Sequence, residues 1–160
     1  MKLTDFKTFY GKLGMHPDPG VLPVQQAAGL FDLVMASGSH VIEVGATTGR
    51  STAIIATAAR NIDRRVYVAS VNGIHPMWFR RTILGHGLEQ TVVMMQSPEP
   101  IEDASLAVLS GSVDGLDKWL EILPSKGRVV FLNNGDCALG PNLGLIRSQS
   151  SNGLEIWEKQ

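Results

Sequence analysis

Short apolar runs alternate with helical segments along the chain from His40 onward. The runs read "HVIEVG", "RRVYVASV", "TVVMM", "SLAVLSG" and "GRVVFLNN". Between them, "STAIIATAAR" has the small residues of a packed helix, and "VDGLDKWLEILP" repeats apolar residues at helical spacing. Strands that are apolar throughout and alternate with helices are typical of a parallel sheet covered on both faces. The pattern therefore predicts a single-domain α/β fold.

Both ends of the chain depart from this alternation. Near the C-terminus, "LGLIRSQS" and "LEIWEKQ" flank Asn152-Gly153, a two-residue hairpin signal because both positions tolerate positive φ. The mostly parallel sheet is thus expected to finish with an antiparallel hairpin. Near the N-terminus, "GMHPDPG" cannot continue a helix. It predicts a boundary between a short arm, residues 1–22, and an α/β domain, residues 23–160.

The charge and cysteine content of the chain limit the partners and the cellular compartment that we expect. The 160 residues carry a formal net charge of −1, which lacks the basic footprint of a protein that binds nucleic acid or an anionic membrane. Charged residues make up 18% of the chain, below the roughly one quarter usual for soluble domains, so we expect a homo-oligomer. The single cysteine, Cys137, excludes an intramolecular disulfide framework, and charges run through the first residues. We expect a cytoplasmic protein.

The loop after the first predicted strand reads "EVGATTGRST", Glu43 to Thr52. In open parallel sheets, ligands bind outside the carboxyl ends of the strands, where the strand order reverses. Gly45 and Gly49 would let the backbone turn sharply and approach a ligand, although the two glycines are also explained by a tight strand-to-helix turn alone. The spacing E-x-G-x-x-x-G is not the G-x-G-x-x-G of dinucleotide sites, so a nicotinamide cofactor is disfavoured.

Taken together, "VIEVGATTGRST", "RVYVASV", "GLEQTVVMMQSPEP", "SLAVLSG", "LDKWLEILPSKGRVVFLNN" and the final hairpin resemble the class I S-adenosylmethionine-dependent methyltransferases, in particular the small-molecule O-methyltransferase-like branch. The resemblance implies a Rossmann-like methyltransferase fold of seven strands and S-adenosylmethionine as the cofactor. It implies that Glu43 orients the methionine end and that the backbone near Gly45 and Ala46 approaches it. The residues expected to hold the cofactor are Glu43, Gly45, Ala46, Gly49, Asn72 and Ser97.

The chain departs from that family where acids are expected. The second strand leads into Asn72 in place of an acid that holds both ribose hydroxyls; Asn72 could accept one such bond, or form an ordinary turn with Gly73. Ser110, Ser112 and Asn133 stand where relatives carry acids for a metal or for proton transfer. We therefore expect no metal site. The nearby acids fit other roles, Asp114 at a helix N-terminus and Asp136 in a loop.

Methyl transfer from a sulfonium needs a positioned acceptor, and a base only where the acceptor must lose a proton. His75, after the second strand, and His16, in the N-terminal arm, are the candidate bases; each could equally be an exposed loop histidine. Trp78 could stack on adenine or pack in the core. Two functions remain open: a methyltransferase acting on a small molecule, and a catalytically inactive protein that keeps the fold as a binding or assembly module.

Overall fold

The computed structural model describes residues 3–13, 22–69, 75–110, 116–132, 144–152 and 154–160. The helices are α1 (Leu3–Leu13), α2 (Val24–Ser37), α3 (Arg50–Asn61), α4 (Pro76–Gly85) and α5 (Leu116–Glu121). The strands are β1 (His40–Val44), β2 (Val66–Ala69), β3 (Val92–Met95), β4 (Ala104–Leu109), β5 (Arg128–Phe131), β6 (Leu145–Ser151) and β7 (Leu154–Lys159). Of the described helices, none is long and apolar enough to cross a lipid bilayer.

The strands form one seven-stranded sheet in the order β3-β2-β1-β4-β5-β7-β6. Strands β1 to β5 run parallel to their neighbours, whereas β7 is antiparallel to both β5 and β6. Asn152, in the turn between β6 and β7, has a φ of 52°, the left-handed conformation that the hairpin signal requires. The predicted alternation and the predicted closing hairpin are both confirmed. Strand order reverses between β1 and β4.

Four helices cover one face of the sheet. α2 and α3 lie against it through residues that are fully buried, such as Leu30, Val34 and Ile55. α2 ends where Gly38 adopts a φ of 65°. α1 joins this core: its Phe6 is 3% exposed and meets the Phe31 ring with centroids 5.6 Å apart. The first described segment of the chain is therefore packed against the sheet's helical layer.

The other face, in the part of the chain described, has less helical cover than the first. Within the described residues, its only helix is α5, which supplies Trp119 and Leu120 to a second core with Ile42 and Phe131. The second core confirms the prediction of a sheet that is covered on both faces. Apolar runs indicate that a strand is buried, but they do not say whether a helix or an extended segment buries it.

Residues 96–103, which connect β3 to β4, provide part of that cover without forming a helix. The two strands lie three strand positions apart, roughly 14 Å, and the chain must also return to the opposite end of the sheet. Eight residues span at most about 27 Å when extended but only about 12 Å as a helix. The connection, called the strap below, is therefore held extended, and its Ile101 packs against the second core.

Candidate functional site

The loop between β1 and α3 lies at the carboxyl ends of the strands, beside the point where strand order reverses. The Gly45 N–H donates to the Ala69 carbonyl at the end of β2, at 2.9 Å. On the other side, the Ser110 N–H after β4 donates to the Val44 carbonyl at 2.8 Å. The loop is thus fixed between two neighbouring strands. This is the position in which open α/β sheets bind ligands.

Both glycines of the loop are required by close packing inside the chain. Gly45 has a φ of 91°, and a Cβ placed on it would lie 1.9 Å from the carbonyl oxygen of Ser110. Gly49 has a φ of 86°, and its Cβ would lie 2.9 Å from a ring carbon of Phe79. Side chains are excluded at both positions by the protein itself. The sequence left two explanations for these glycines, contact with a ligand or a tight strand-to-helix turn. The close packing within the turn is sufficient to explain both.

Helix α4 is attached to the outside of the same loop. The backbone N–H of His75, the residue before α4, donates to the Thr47 carbonyl at 3.1 Å. About two turns further, the Thr82 hydroxyl is shared between the Trp78 carbonyl of its own helix, at 2.9 Å, and the Thr48 carbonyl of the loop, at 3.2 Å. These bonds bring His75 to the edge of the loop, where the residue is exposed and its ring lies 6.2 Å from the half-buried Trp78 ring.

Glu43 places a carboxyl group in the interior directly below the loop. The residue is fully buried, and the Ser51 hydroxyl in the first turn of α3 donates to Glu43 Oε1 at 2.5 Å. Burial raises the pKa of Glu43 to about 7, against the opposing effect of the hydroxyls of Ser51, Thr52 and Ser110, which lower it. The effect of burial is the larger one, because the carboxylate loses more hydration free energy on leaving water than the three hydroxyls restore. The carboxyl group is thus poised to change its charge near neutral pH.

Several buried polar atoms of residues in or next to the loop between β1 and α3 lack hydrogen bonds in the structure. They are Glu43 Oε2, Arg50 Nη1, Thr52 Oγ1 and Ser110 Oγ. The Thr52 and Ser110 hydroxyls lie near enough to act on the pKa of Glu43, yet neither reaches it with normal hydrogen-bond geometry. A buried polar group without a partner costs about 1–3 kcal/mol. The carboxyl group and the hydroxyls lie together, and the Arg50 guanidinium belongs to the first residue of α3; these groups fit a polar ligand with both a cationic and an anionic group.

The predicted site residues fall into three groups. Glu43, Gly45, Ala46 and Gly49 lie together at the carboxyl edge, with Ala46 1% exposed. Ser97 lies just after β3 in the strap, exposed, with its hydroxyl donating to Glu99 Oε1 at 3.2 Å. The remaining candidates lie outside the described residues: His16, Asn72, Ser112, Asp114, Asn133, Asp136 and Cys137.

Sequence reasoning missed Arg50, Ser51 and Thr52 as members of the site. They follow the second glycine directly and form the first turn of α3, above the buried Glu43. The signal available was a buried acid at the end of β1 followed, after one loop, by hydroxyl residues that open a helix. Among the described residues there is no group of three or more His, Cys, Asp or Glu side chains that could hold a metal ion.

Comparison with known proteins places the fold. No protein-family model matches the sequence, and no curated protein does. Many solved structures match the fold of this chain. A SAM-dependent methyltransferase from Aquifex aeolicus aligns over 99% of this chain and 98% of its own, with a TM-score of 0.66 and 12% identity. An O-methyltransferase from Bacillus cereus, solved in complex with SAH, aligns over 99% and 90%, with a TM-score of 0.62 and 13% identity.

A methyltransferase from Geobacter sulfurreducens aligns over 99% of this chain and 89% of its own, with a TM-score of 0.63 and 12% identity. These alignments span the whole strand order, including the reversed final hairpin. The chain has the class I methyltransferase fold. At such low identity the likeness establishes architecture and nothing of activity. Within the described part, the strap connects β3 to β4 without a helix.

Proposed function

We propose that the chain binds S-adenosylmethionine at the loop between β1 and α3 and transfers its methyl group to a small molecule. The observation that carries this proposal is the set of buried polar atoms without hydrogen bonds at Glu43, Thr52 and Ser110, together with Arg50 Nη1 at the start of α3. The methionine end of that cofactor has an ammonium group and a carboxylate. Glu43 and the hydroxyls complement the ammonium, and the Arg50 guanidinium complements the carboxylate.

The nucleoside end of the cofactor is assigned to residues farther along the same edge. Ser97 follows β3, and Asn72 follows β2 in the sequence, so that both belong to the carboxyl ends of neighbouring strands. The Asn72 amide oxygen would accept from a ribose hydroxyl, and Ser97 would lie beside the adenine. Gly45 and Gly49 contribute by shaping the loop, because Ser110 and Phe79 leave no room for a side chain at either position.

Bound there, S-adenosylmethionine would supply an electrophilic methyl group, which the acceptor would take up in line while the sulfonium sulfur leaves as a neutral thioether. The chain's own contribution is to bind, orient and accept a proton. Glu43 and its hydroxyl neighbours fix the methionine end below the loop. His75, exposed at the loop's outer edge and held by its bond to Thr47, is the described candidate to take the proton of the acceptor. His16 is the second candidate, from the sequence alone.

The alternative is a binding or assembly module without turnover. It is favoured by one observation: Ser110, with a hydroxyl that lacks a hydrogen bond, stands at the end of β4 where relatives are expected to carry an acid. A serine there neither holds a metal firmly nor abstracts a proton near neutral pH. The two functions share the same cofactor site, so experiments must separate binding from turnover.

Calorimetry with S-adenosylmethionine tests the site. Glu43→Gln keeps the size of the side chain but removes its charge, and we expect it to weaken binding about 10- to 100-fold, the loss typical of one charge-assisted hydrogen bond. Glu102→Gln is the matched control, because Glu102 is exposed in the turn just before β4, at the opposite edge of the sheet. Circular dichroism verifies that both variants fold. No heat of binding by the unaltered chain, or equal affinities in both variants, would refute the proposed site.

Turnover is tested next, with a panel of phenols, thiols and amines as acceptors. If the chain is an enzyme, we expect His75→Ala to lower kcat about 100-fold or more and to leave the affinity for the cofactor unchanged. The reason is that the proposed role of His75 is to take the proton of the acceptor and not to bind the cofactor. Binding of the cofactor with no product from any acceptor would favour the module instead.

A further inference from the structure

The seven-stranded sheet has two open edges, β3 at one end and β6 at the other. Each edge strand presents a row of backbone N–H and C=O groups that no neighbouring strand within the sheet can bind. Natural proteins protect such edges with charges, prolines, bulges or a covering segment, because an unprotected edge pairs with other chains. The two edges of this sheet differ in that protection.

The β6 edge carries three protective features. Its register against β7 shifts between Arg147 and Gln149, which marks a bulge or irregularity that breaks the ladder. Its Arg147 forms an ion pair with Glu155 of β7 at 2.9 Å, so a charge sits on the edge strand itself. Its remaining residues include serines and a glutamine, giving the segment "LIRSQSS". A second strand would find this edge irregular and charged.

The β3 edge carries none of them. Its sequence is "VVMM", without a charge or a proline. Its register against β2 is uninterrupted from Val66–Val92 to Ala69–Met95, so the outer ladder groups are regularly spaced. Met94 is 51% exposed, which is unusual for a large apolar side chain. This is the combination that predicts strand pairing with another chain.

Surface beyond the strand itself is available on both sides of the sheet, apolar on the helical side and mainly polar on the other. On the helical side, α4, which leads into β3, exposes Met77 by 62% and Leu84 by 48%. On the other side, a cleft of about 620 Å³ lies between the strap and a floor that includes Tyr67 and Met95. A standard interface buries about 800 Å² per partner, more than a four-residue strand supplies. The flanks provide the additional area.

We propose that a second copy of this chain pairs with it through β3, antiparallel and about a twofold axis, to form one continuous sheet of fourteen strands, seven from each copy. A strand paired with itself in this way is self-complementary, which is the condition for a closed dimer. No two like charges face each other across the new ladder, since β3 has none.

The charges that flank β3 fit the same arrangement. An antiparallel pair places the turn before β3 of one copy beside the amino-terminal half of the other copy's α4. That turn carries the exposed Glu89, and the middle of α4 carries the exposed Arg80, at the end of that half, and Arg81, just beyond it. Opposite charges therefore meet on both sides of the axis. Such complementarity favours the correct partner and disfavours side-by-side pairing in other registers.

The test is the solution mass of three proteins, measured by light scattering: the unaltered chain, Met94→Lys and Ile146→Lys. Ile146 is the matched control, because it is 54% exposed and lies on the other edge strand, β6. We expect the unaltered chain and Ile146→Lys to show twice the 17.3 kDa mass of one chain, and Met94→Lys to show the single mass. Far-ultraviolet circular dichroism confirms that each variant is folded.

Hydrogen exchange of the backbone amides gives a second reading that does not depend on mass. In the dimer, the outward-facing amides of Val92–Met95 are protected in the unaltered chain and in Ile146→Lys, and exchange quickly in Met94→Lys. A monomeric unaltered chain with fast exchange along β3 would overturn the proposal and leave that edge for another occupant. A dimer that Met94→Lys leaves intact, or that Ile146→Lys dissociates, would equally overturn it.

Discussion

Glu43 links the stability of the fold to pH. Its pKa is about 7 in the folded chain and 4.5 for an ordinary glutamate. Between these values the folded chain keeps a proton that the unfolded chain has released. The contribution of Glu43 to the free energy of unfolding is therefore fully present below pH 4.5 and falls as the pH rises to 7, by about 3 kcal/mol for this shift. Above pH 7 the loss is complete.

Urea denaturation of the unaltered chain and of Glu43→Gln, from pH 4.5 to pH 8, isolates this effect. The glutamine has no proton to lose, so other titrating groups affect both proteins alike. We expect the stability of the unaltered chain relative to Glu43→Gln to decline through that range and then to become constant. Parallel stability curves would mean that the pKa of Glu43 is not raised.

Gly45 and Gly38 illustrate two different reasons why a position requires glycine: close packing and a left-handed backbone conformation. Both have positive φ, 91° and 65°, but a Cβ on Gly45 would meet the Ser110 carbonyl, whereas one on Gly38 would meet nothing within 4 Å. We expect Gly38→Ala to cost about 1–2 kcal/mol, for the left-handed backbone alone. Gly45→Ala should cost several kcal/mol more, because strand β4 must move. Equal losses in urea denaturation would contradict the close approach.

The same contact limits what a sequence can say about a glycine loop. E-x-G-x-x-x-G was interpreted as a loop kept bare for a cofactor, yet Ser110, which excludes a side chain at Gly45, is 65 positions away in the chain (110 − 45). A contact of that separation exists only once β1 and β4 are neighbours. Loss of cofactor binding on enlarging Gly45 would therefore report damage to the fold rather than contact with the ligand.

At the scale of elements, α4 holds the loop through hydrogen bonds that cross between segments. Thr82→Val removes the hydroxyl that donates to Thr48, and we expect a loss of about 1 kcal/mol in stability together with faster amide exchange in residues 47–49. Thr57→Val is the control, because the Thr57 hydroxyl donates only to Ala53 within its own helix, at 2.7 Å. That variant should leave exchange in the loop unchanged. Equal exchange in both variants would show that α4 does not restrain the loop.

The order of the elements was predictable because each strand and helix has a sequence signal within its own few residues. The alternation of apolar runs and helices, and the hairpin at Asn152, depend on periodicity and turn chemistry within a few residues. The strap was not predicted, although Pro98 and Pro100 argue against a helix there. Its extended form follows from the distance between β3 and β4, and that distance is known only from the strand order.

At the scale of the whole molecule, a low charged fraction indicated an oligomer without locating its interface. Composition averages over the surface, whereas the asymmetry that matters lies between two edge strands more than 50 residues apart, β3 and β6. Only the assembled sheet reveals that β3 is an edge at all. The contrast between the irregular, charged β6 and the regular, uncharged β3 is the reason we propose the β3 end as the place for a partner.

Pairing through β3 would make thermal stability depend on protein concentration. Because the dimer forms from folded chains only, raising the concentration tenfold stabilises each chain, and for a chain of this size Tm should rise by about 2 °C. Met94→Lys should melt at one temperature regardless of concentration, while Ile146→Lys, on the opposite edge, should follow the unaltered chain. Differential scanning fluorimetry over a hundredfold range measures all three. A Tm that is constant for the unaltered chain, or that rises equally for both variants, would place the contact between copies elsewhere than β3.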